Sequence, residues 1–204
     1  SVQDMMRIVH SIGMSQMITE ICNYIEADFR RWPSFDKTPR VAAHSAEGVI
    51  ELMPTSDGEY YGFKYVNGHP ANMARGFQTV TAFGVLAKVV NGYPVLVSEM
   101  TILTALRTAA TSALAAKYLA PTGASVMGMI GNGAQCEFQA LAFQEIIGIT
   151  TVRLYDIDPQ ATRKAAKNLE NSGLTVIICG SAEAAVTGVD IITTCCLLYT
   201  SDAA

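Results

Sequence analysis

The stretch that decides the fold is "MIGNGAQCEF", which runs from Met129 to Phe138. Its two glycines, Gly131 and Gly133, follow the short apolar run "VMGMI" and precede an amphipathic segment over residues 134–147. A strand, a glycine turn and a helix in this order are typical of a dinucleotide-binding unit, where the glycines let the backbone approach a pyrophosphate. The third small residue of that motif is normally Gly or Ala, and here it is Cys136. A plain strand-to-helix turn is the alternative interpretation.

Asp156 favours the dinucleotide interpretation. It stands about 25 residues after the first glycine, at the end of the strand-like segment "TVRLYD". Dinucleotide-binding units place an acid at this point to accept hydrogen bonds from the adenosine ribose, and the helix that follows the glycines adds a favourable dipole for phosphate. Because a carboxylate would repel a 2′-phosphate, the sequence predicts NAD in preference to NADP.

The predicted pattern of secondary structure changes near Ala120. Beyond it, strand and helix patterns alternate, which favours a parallel sheet with helices on its faces. Before it, residues 4–32 read as helical, four strand-like segments lie between Arg40 and Glu99, and residues 101–120 form an alanine-rich helix. The dipeptide Asn91-Gly92 predicts a tight hairpin between the last two of those segments. The sequence therefore predicts an α/β protein with an antiparallel α+β domain over residues 1–120 and an incomplete Rossmann-type domain over residues 121–195.

Composition argues against several classes of partner. The net charge is −4 and basic residues come at most in adjacent pairs, so there is no reason to expect nucleic acid. No apolar run reaches membrane-spanning length and no basic segment followed by an apolar core opens the chain, so a cytoplasmic protein with no membrane partner is expected. The five cysteines lack CxxC spacing, and we expect reduced thiols and no metal site.

Longer blocks carry a family resemblance. They are "FKYVNGHPAN", "LTALRTAATSALAA", "MIGNGAQCEFQALAF" and "YDIDPQAT", and through them the chain resembles the ornithine cyclodeaminase family, which includes the μ-crystallins. The block "RVAAHSAEGVIELMP" is similar to the bacterial members. The resemblance implies an NAD-dependent enzyme that converts L-ornithine to L-proline and ammonia, with bound NAD+ taking a hydride from the α-carbon and returning it after ring closure. It also implies a homodimer, with residues 1–120 as the substrate-binding and dimerisation domain.

The resemblance assigns roles to residues that would contact the substrate. It places Lys64 beside the substrate carboxylate and the reacting carbon, and Glu51 near the amino groups, so both are candidate catalytic residues. Arg40 and Arg107 match arginines that bind the α-carboxylate, and Thr79 matches a threonine near the nicotinamide and the substrate. Structural roles are the alternatives: Lys64 and Glu51 can face solvent from their strands, and the two arginines can be surface charges. His69 is expected to shape its turn rather than to catalyse.

For the cofactor, the resemblance matches the pyrophosphate turn, the ribose acid and two residues beside the nicotinamide ribose. Asp158, two residues after the acid, is a further cofactor candidate, although capping the helix that begins at Pro159 is the alternative. The matched residues are Gly131, Asn132, Gly133, Ala134, Gln135, Asp156, Thr193 and Thr194.

The resemblance stops after "VDIITTC", whereas the family continues for well over a hundred residues. The acid/base aspartate proposed for the substrate's side-chain amine lies in that further part, so we expect the 204-residue chain to be inactive by itself. Residues 196–204, "CLLYTSDAA", resemble a translated sequencing adaptor and are expected to be a non-native tail.

Other functions on the same scaffold stay open at this point. A lysine cyclodeaminase, a ketimine reductase and an alanine dehydrogenase would share the fold and the cofactor, and the last two differ by leaving a net change in NADH. The blocks "KYVNGHPAN" and "VIELMP" favour ornithine. A non-catalytic, μ-crystallin-like binding protein is the remaining alternative, and Arg40, Lys64 and Arg107 argue against it because pure nucleotide binding does not need a clustered amino-acid site.

Overall fold

The computed structural model describes residues 1–195, which form two compact units. The tail predicted at residues 196–204 lies outside the described residues. The first unit comprises Ser1–Ile12 and Glu26–Thr104, and the second comprises Gly13–Ile25 and, within the described chain, residues 105–195. Each unit contains one sheet, antiparallel in the first and parallel in the second, so the predicted fold class is confirmed.

The N-terminal segment is two helices where the sequence predicted one. Helix α1 spans Val2–Ile12 and helix α2 spans Met14–Arg30. Gly13 separates them with a φ of 93°, a left-handed conformation that glycine adopts without a steric penalty. The hydrophobic periodicity continues across this glycine, which is why the pattern alone did not reveal the break.

The antiparallel sheet has five strands in the order β1-β2-β3-β4-β5. Their bounds are Val41–Ser45, Gly48–Ser56, Tyr60–Gly68, Ala82–Lys88 and Pro94–Glu99. The four predicted strand segments correspond to β2 through β5. The structure adds β1, in which His44 pairs with Val49 of β2.

The hairpin predicted at Asn91-Gly92 joins β4 to β5, but its turn is longer than two residues. Only Gly92 has a positive φ, at 71°, and every positive φ in the described chain belongs to a glycine. Asn91 instead uses its side-chain Oδ1 to accept a hydrogen bond from the Tyr93 N–H at 3.0 Å. The asparagine therefore acts through its side chain rather than through a left-handed backbone.

The second unit alternates strands and helices, as predicted. After helix α3, Thr101–Leu119, come β6 Val126–Ile130, α4 Cys136–Ile147, β7 Thr151–Tyr155, α5 Pro159–Asn168, β8 Thr175–Ile178, α6 Ala182–Val186 and β9 Ile191–Thr194. The parallel strand order is β8-β7-β6-β9, so the chain winds from β6 out to β8 and then returns to the other side of β6. Such a reversal opens a crevice at the carboxyl edge of the sheet, where ligands bind in open α/β folds.

Burial in the second unit explains its sequence. Met127 and Met129 of β6 and Val152 and Leu154 of β7 are fully buried, as expected for central parallel strands. A cluster of Cys22, Ala110 and Leu114 packs helix α2 on α3, where alanines allow close approach. Within residues 1–195, no helix is long and apolar enough to cross a membrane.

Gly128, in the middle of β6, marks a close helix–strand approach that sequence reasoning missed. A Cβ at this position would lie 2.4 Å from the carbonyl oxygen of Ala185, which is in α6. Real Cβ atoms do not approach a backbone oxygen so closely, so α6 can lie against the sheet only because residue 128 has no side chain. A glycine inside a strand pattern was the available signal.

Candidate functional site

The glycine turn after β6 carries main-chain N–H donors that open the helix α4. Gly131 has a φ of 87° and its N–H bonds the carbonyl of Tyr155 at 2.9 Å, which turns the chain away from the strand. Within residues 1–195, no acceptor lies on the N–H groups of Gly133, Ala134 and Gln135. A Cβ at Gly133 would meet nothing within 4 Å, so the space beside the turn is open. Three available donors at the start of α4 are an arrangement that suits an anion.

Asp156 is held at the end of β7 by two main-chain donors. Its Oδ2 accepts from the Asn132 N–H at 2.6 Å, and its Oδ1 accepts from the Asp158 N–H at 2.9 Å. Each carboxylate oxygen can accept a second hydrogen bond, so the group still has capacity for hydroxyl donors. Asn132 and Asp156, which are 24 positions apart in the sequence and were both predicted to bind the cofactor, are thus in direct contact.

The Asn132 side chain faces the protein interior. Asn132 is 4% exposed; its Oδ1 accepts from Thr162 Oγ1 at 2.9 Å, and its Nδ2 donates to Cys136 Sγ at 3.6 Å. Burial is the main cause that raises the pKa of the Cys136 thiol to about 12, although the Asn132 hydrogen bond acts in the opposite direction. Cys136 therefore stays a neutral thiol in the position where the motif needs a small side chain.

Asp158 caps helix α5, which was the structural alternative to a role in cofactor binding. It is the N-cap of α5, and its side chain accepts from the Gln160 N–H at 2.8 Å. Thr193 and Thr194 end β9, where they pair with Met129 and Ile130. The glycine turn, Asp156 and the two threonines therefore share the carboxyl edge of the parallel sheet, at the point where its winding reverses.

The side chain of Gln135 indicates that the turn can hold a dinucleotide. Among the described residues, Oε1 of Gln135 is buried and has no hydrogen-bond partner. It belongs to the same turn as the three available N–H groups. Together with Asp156 the turn offers donors for phosphate oxygens and acceptors for hydroxyl or amide groups, a set that suits the pyrophosphate and one ribose of a dinucleotide. The residues present fit the group that the sequence predicts.

In the first unit, three predicted residues share one face of the antiparallel sheet. Lys64 of β3 is opposite Met53 of β2, and Glu51 lies two residues from Met53, so Glu51 and Lys64 project to the same side. Arg40 immediately precedes β1, and its Nη1 lies 3.0 Å from Glu51 Oε1. The sequence did not predict this ion pair. Because the Arg40 side chain is 61% exposed, the pair orients the guanidinium more than it stabilises the fold.

Met100 is a neighbour of Lys64 that sequence reasoning missed. The strand partner of Lys64 in β4 is Gly84, and a Cβ at Gly84 would lie 2.4 Å from Met100 Sδ. The thioether therefore occupies the space that a side chain at position 84 would fill. Cross-strand neighbours on one face are about 5 Å apart, so Met100 borders the position of Lys64. The glycine within "AFGVLAK" was the sequence signal.

Thr79 is positioned by the turn "VNGHPAN". Its carbonyl accepts from the His69 N–H at 2.9 Å and from Asn67 Nδ2 at 3.4 Å. Asn67 Oδ1 also accepts from the Thr81 N–H at 2.7 Å, and the His69 Nδ1 lies 3.1 Å from Asn67 Nδ2. These contacts show His69 shaping the turn, as expected.

Arg107 belongs to the second unit, on α3, whereas the other predicted substrate residues belong to the first. Its side chain is exposed, while Leu106 and Ala110 beside it are buried. Helix α3 therefore buries its alanine-rich face and leaves the guanidinium accessible. Within residues 1–195, no group of His, Cys, Asp and Glu side chains is placed to hold a metal ion.

Relatives that carry enzyme names align with most of the chain. It is 64% identical over 194 residues to an ornithine cyclodeaminase of Brucella suis biovar 1, covering 95% of this chain and 54% of the relative. An alanine dehydrogenase of Archaeoglobus fulgidus is 34% identical over 177 residues, covering 86% of this chain and 55% of the relative. The chain thus spans about half the length of the curated relatives it matches.

Solved structures show the same architecture. A lysine cyclodeaminase, described as recognising L-lysine, L-ornithine and L-2,4-diaminobutyric acid, superposes with a TM-score of 0.89 at 26% identity over 98% of this chain and 60% of its own. An archaeal alanine dehydrogenase dimer with bound NAD superposes with a TM-score of 0.79 at 31% identity over 91% of this chain and 57% of its own. The family model of the ornithine cyclodeaminase/mu-crystallin family matches residues 2–203. The chain belongs to the ornithine cyclodeaminase/mu-crystallin family.

Proposed function

We propose that the whole protein is an NAD-dependent ornithine cyclodeaminase that converts L-ornithine to L-proline and ammonia. The observation that carries the proposal is the 64% identity to the Brucella ornithine cyclodeaminase over 95% of this chain. Since the chain spans 54% of that relative, the activity is assigned to the whole protein rather than to residues 1–204 alone.

In the first unit, the substrate would bind at the face of the antiparallel sheet that carries Arg40, Glu51 and Lys64. The guanidinium group of Arg40 suits the α-carboxylate, because a guanidinium can bind both oxygens at once. The family resemblance makes Arg107, in the second unit, a further candidate for carboxylate binding. The Lys64 ammonium would lie beside the carboxylate and the reacting α-carbon, with Thr79 near the nicotinamide. The Glu51 carboxylate would accept hydrogen bonds from the substrate's ammonium groups, and on binding it would exchange its contact with Arg40 for these.

The cofactor would bind at the carboxyl edge of the parallel sheet. The available N–H groups of Gly133, Ala134 and Gln135 would hold the pyrophosphate, with Gly131 and Asn132 shaping the turn, and Asp156 would accept from the adenosine ribose. Thr193 and Thr194 would flank the nicotinamide ribose, and Asp158 would act through its cap of α5. When bound, NAD+ would supply a hydride acceptor, and its reduced form would supply the hydride that reduces the cyclic imine, so the net reaction would leave no NADH.

A homodimer formed through the antiparallel sheet is also proposed. The face of the sheet opposite Lys64 carries apolar side chains that are exposed in the single chain, among them Val41 at 65% and Val97 at 68%. Leu52 and Phe83 lie in the same surface. A patch of this kind is typical of an interface. Light scattering of the whole protein should give the mass of two chains, and replacing Leu52 with Asp should shift it toward one.

The deciding experiment is an assay of the whole protein with L-ornithine and a catalytic amount of NAD+. We expect equal yields of proline and ammonia without accumulation of NADH. Lys64→Met should abolish the reaction, while Lys88→Met, at the exposed end of β4, should leave it unchanged. Accumulation of NADH with L-alanine would favour an alanine dehydrogenase instead, and NAD+ binding without turnover of any tested amino acid would favour a binding protein.

A further inference from the structure

We propose that Asn132, Thr162 and Cys136 form a buried latch that positions the dinucleotide turn, with the side chains of Thr162 and Cys136 acting on cofactor binding without touching the cofactor. The inference rests on the proposed function, since it concerns how the same site binds NAD+. It adds two positioning residues that the sequence analysis did not assign to binding, and it gives the Asn132 side chain a role separate from that of its backbone.

The latch joins three elements of the second unit. Asn132 lies in the turn after β6, Thr162 lies in the first turn of α5, and Cys136 is the first residue of α4. Thr162 Oγ1 donates to Asn132 Oδ1 at 2.9 Å, and Asn132 Nδ2 donates to Cys136 Sγ at 3.6 Å. The three residues are 4%, 3% and 0% exposed, for Asn132, Thr162 and Cys136 respectively, so water does not compete for these hydrogen bonds.

The latch holds a residue that sits between two glycines. Gly131 and Gly133 have wide backbone freedom, and an unrestrained turn would lose that freedom when a ligand binds. Asn132 is instead fixed at three atoms: its N–H by Asp156 Oδ2 and its two side-chain atoms by Thr162 and Cys136. With Asn132 fixed, the peptide groups that follow it are directed before the cofactor arrives. Preorganised donors bind more tightly because the cost of ordering them has already been met.

The chemistry of the latch explains why substitutions should weaken binding. Removing the Thr162 hydroxyl would leave the buried Oδ1 of Asn132 without a donor. Because a buried acceptor without a hydrogen bond is unfavourable, the Asn132 side chain would rotate toward solvent. Any such movement of Asn132 shifts the adjoining peptide groups. Thr162→Val keeps the shape of the side chain and removes only the donor, whereas Thr162→Ser keeps the donor and removes a methyl group.

The test measures the Kd for NAD+ and the thermal midpoint of the whole protein and its variants. Thr162→Val should raise the Kd about tenfold, the size of effect expected when one buried hydrogen bond is lost, and Thr162→Ser should stay within about twofold of the wild type. Leu169→Ala is the matched control: Leu169 is buried at the far end of α5, so its loss should lower the midpoint without changing the Kd. Cys136→Ala, which removes the sulfur acceptor, should raise the Kd by a smaller factor.

The outcomes separate the two proposals. A folded Thr162→Val variant that binds NAD+ as tightly as the wild type would overturn the latch and leave the proposed function intact. A Kd that rises equally in Leu169→Ala would also overturn it, because the effect would then follow general stability. If Thr162→Val does not fold, an unchanged Kd in Cys136→Ala has the same meaning. A wild-type protein that does not bind NAD+ at all would overturn the proposed function, and the latch with it.

Discussion

The main-chain N–H of Asn132 donates to Oδ2 of Asp156 across 2.6 Å, which ties the turn after β6 to the end of β7. The other oxygen of the same carboxylate is held by the Asp158 N–H at 2.9 Å. The acid that would select the ribose is therefore fixed in place by the backbone that would hold the pyrophosphate. Binding of the two parts of a dinucleotide should consequently be coupled, since a change at Asp156 also releases the turn.

Asp156→Asn tests the role of this carboxylate in cofactor choice. The amide keeps an acceptor oxygen but loses the negative charge, so we expect NAD+ binding to weaken by about tenfold, as for the loss of a charge-assisted hydrogen bond, and the preference over NADP+ to fall. Titrations of both cofactors against the whole protein measure this. Asp158→Asn is the control, because Asn caps a helix as well as Asp does. An unchanged preference in Asp156→Asn would contradict the assignment.

Gly128→Ala should destabilise the second unit by about 1–3 kcal/mol, because the new Cβ would lie against a carbonyl oxygen that cannot move without displacing α6. Gly180→Ala provides the comparison, since a Cβ there would meet nothing within 4 Å and its φ is not in the left-handed region. Urea denaturation of the two variants measures the difference in the free energy of unfolding. Equal free energies of unfolding for the two variants would mean that the packing of α6 does not require a glycine at position 128.

Asp190 should make stability depend on acid pH. Its carboxylate accepts from the N–H groups of Ser125 and Val126 at 2.8 and 2.9 Å, and these hydrogen bonds lower the pKa of Asp190 below its ordinary value of 3.8. A pKa that is lower in the folded state than in the unfolded state stabilises the fold above the unfolded value, and this contribution disappears as the pH falls through the folded value. Asp190→Ala should therefore lower the thermal midpoint at neutral pH, and the gap to the wild type should close in strong acid. A gap that stayed constant with pH would show that the charge is not involved.

Cys136 should resist alkylation in the native protein. Its thiol is fully buried, and burial raises its pKa to about 12, so almost no thiolate forms near neutral pH. Cys179, which is half-buried just after β8, should react with iodoacetamide before Cys136 does at about pH 8. Mass spectrometry of peptides from native and urea-unfolded protein would show the order of modification. Rapid labelling of Cys136 in the folded state would contradict the buried position of the latch.

Much of the fold followed from patterns that are local in the sequence. The alternation after Ala120, the glycine turn with its acid, and the cap of α5 by Asp158 each depend on residues within a few positions of one another or on a short fixed spacing. Turn chemistry and hydrophobic periodicity act over such distances, so the sequence predicts them. The exceptions were also local: at Gly13 the apolar period runs through a helix break, and at Asn91 the hairpin turn is longer than its dipeptide indicates.

The sequence by itself thus determined the fold class, the family and the order of elements after Ala120. Only the tertiary structure decided which side chains meet: Asn132 with Thr162, Arg40 with Glu51, and Met100 over Gly84. These pairings depend on the register of strands and on how helices pack against the sheet. A shift of one residue in β2, for example, would turn Glu51 to the opposite face, away from Arg40. No pattern along the chain carries that information, because the contacts form between segments that are distant in sequence and close only after folding.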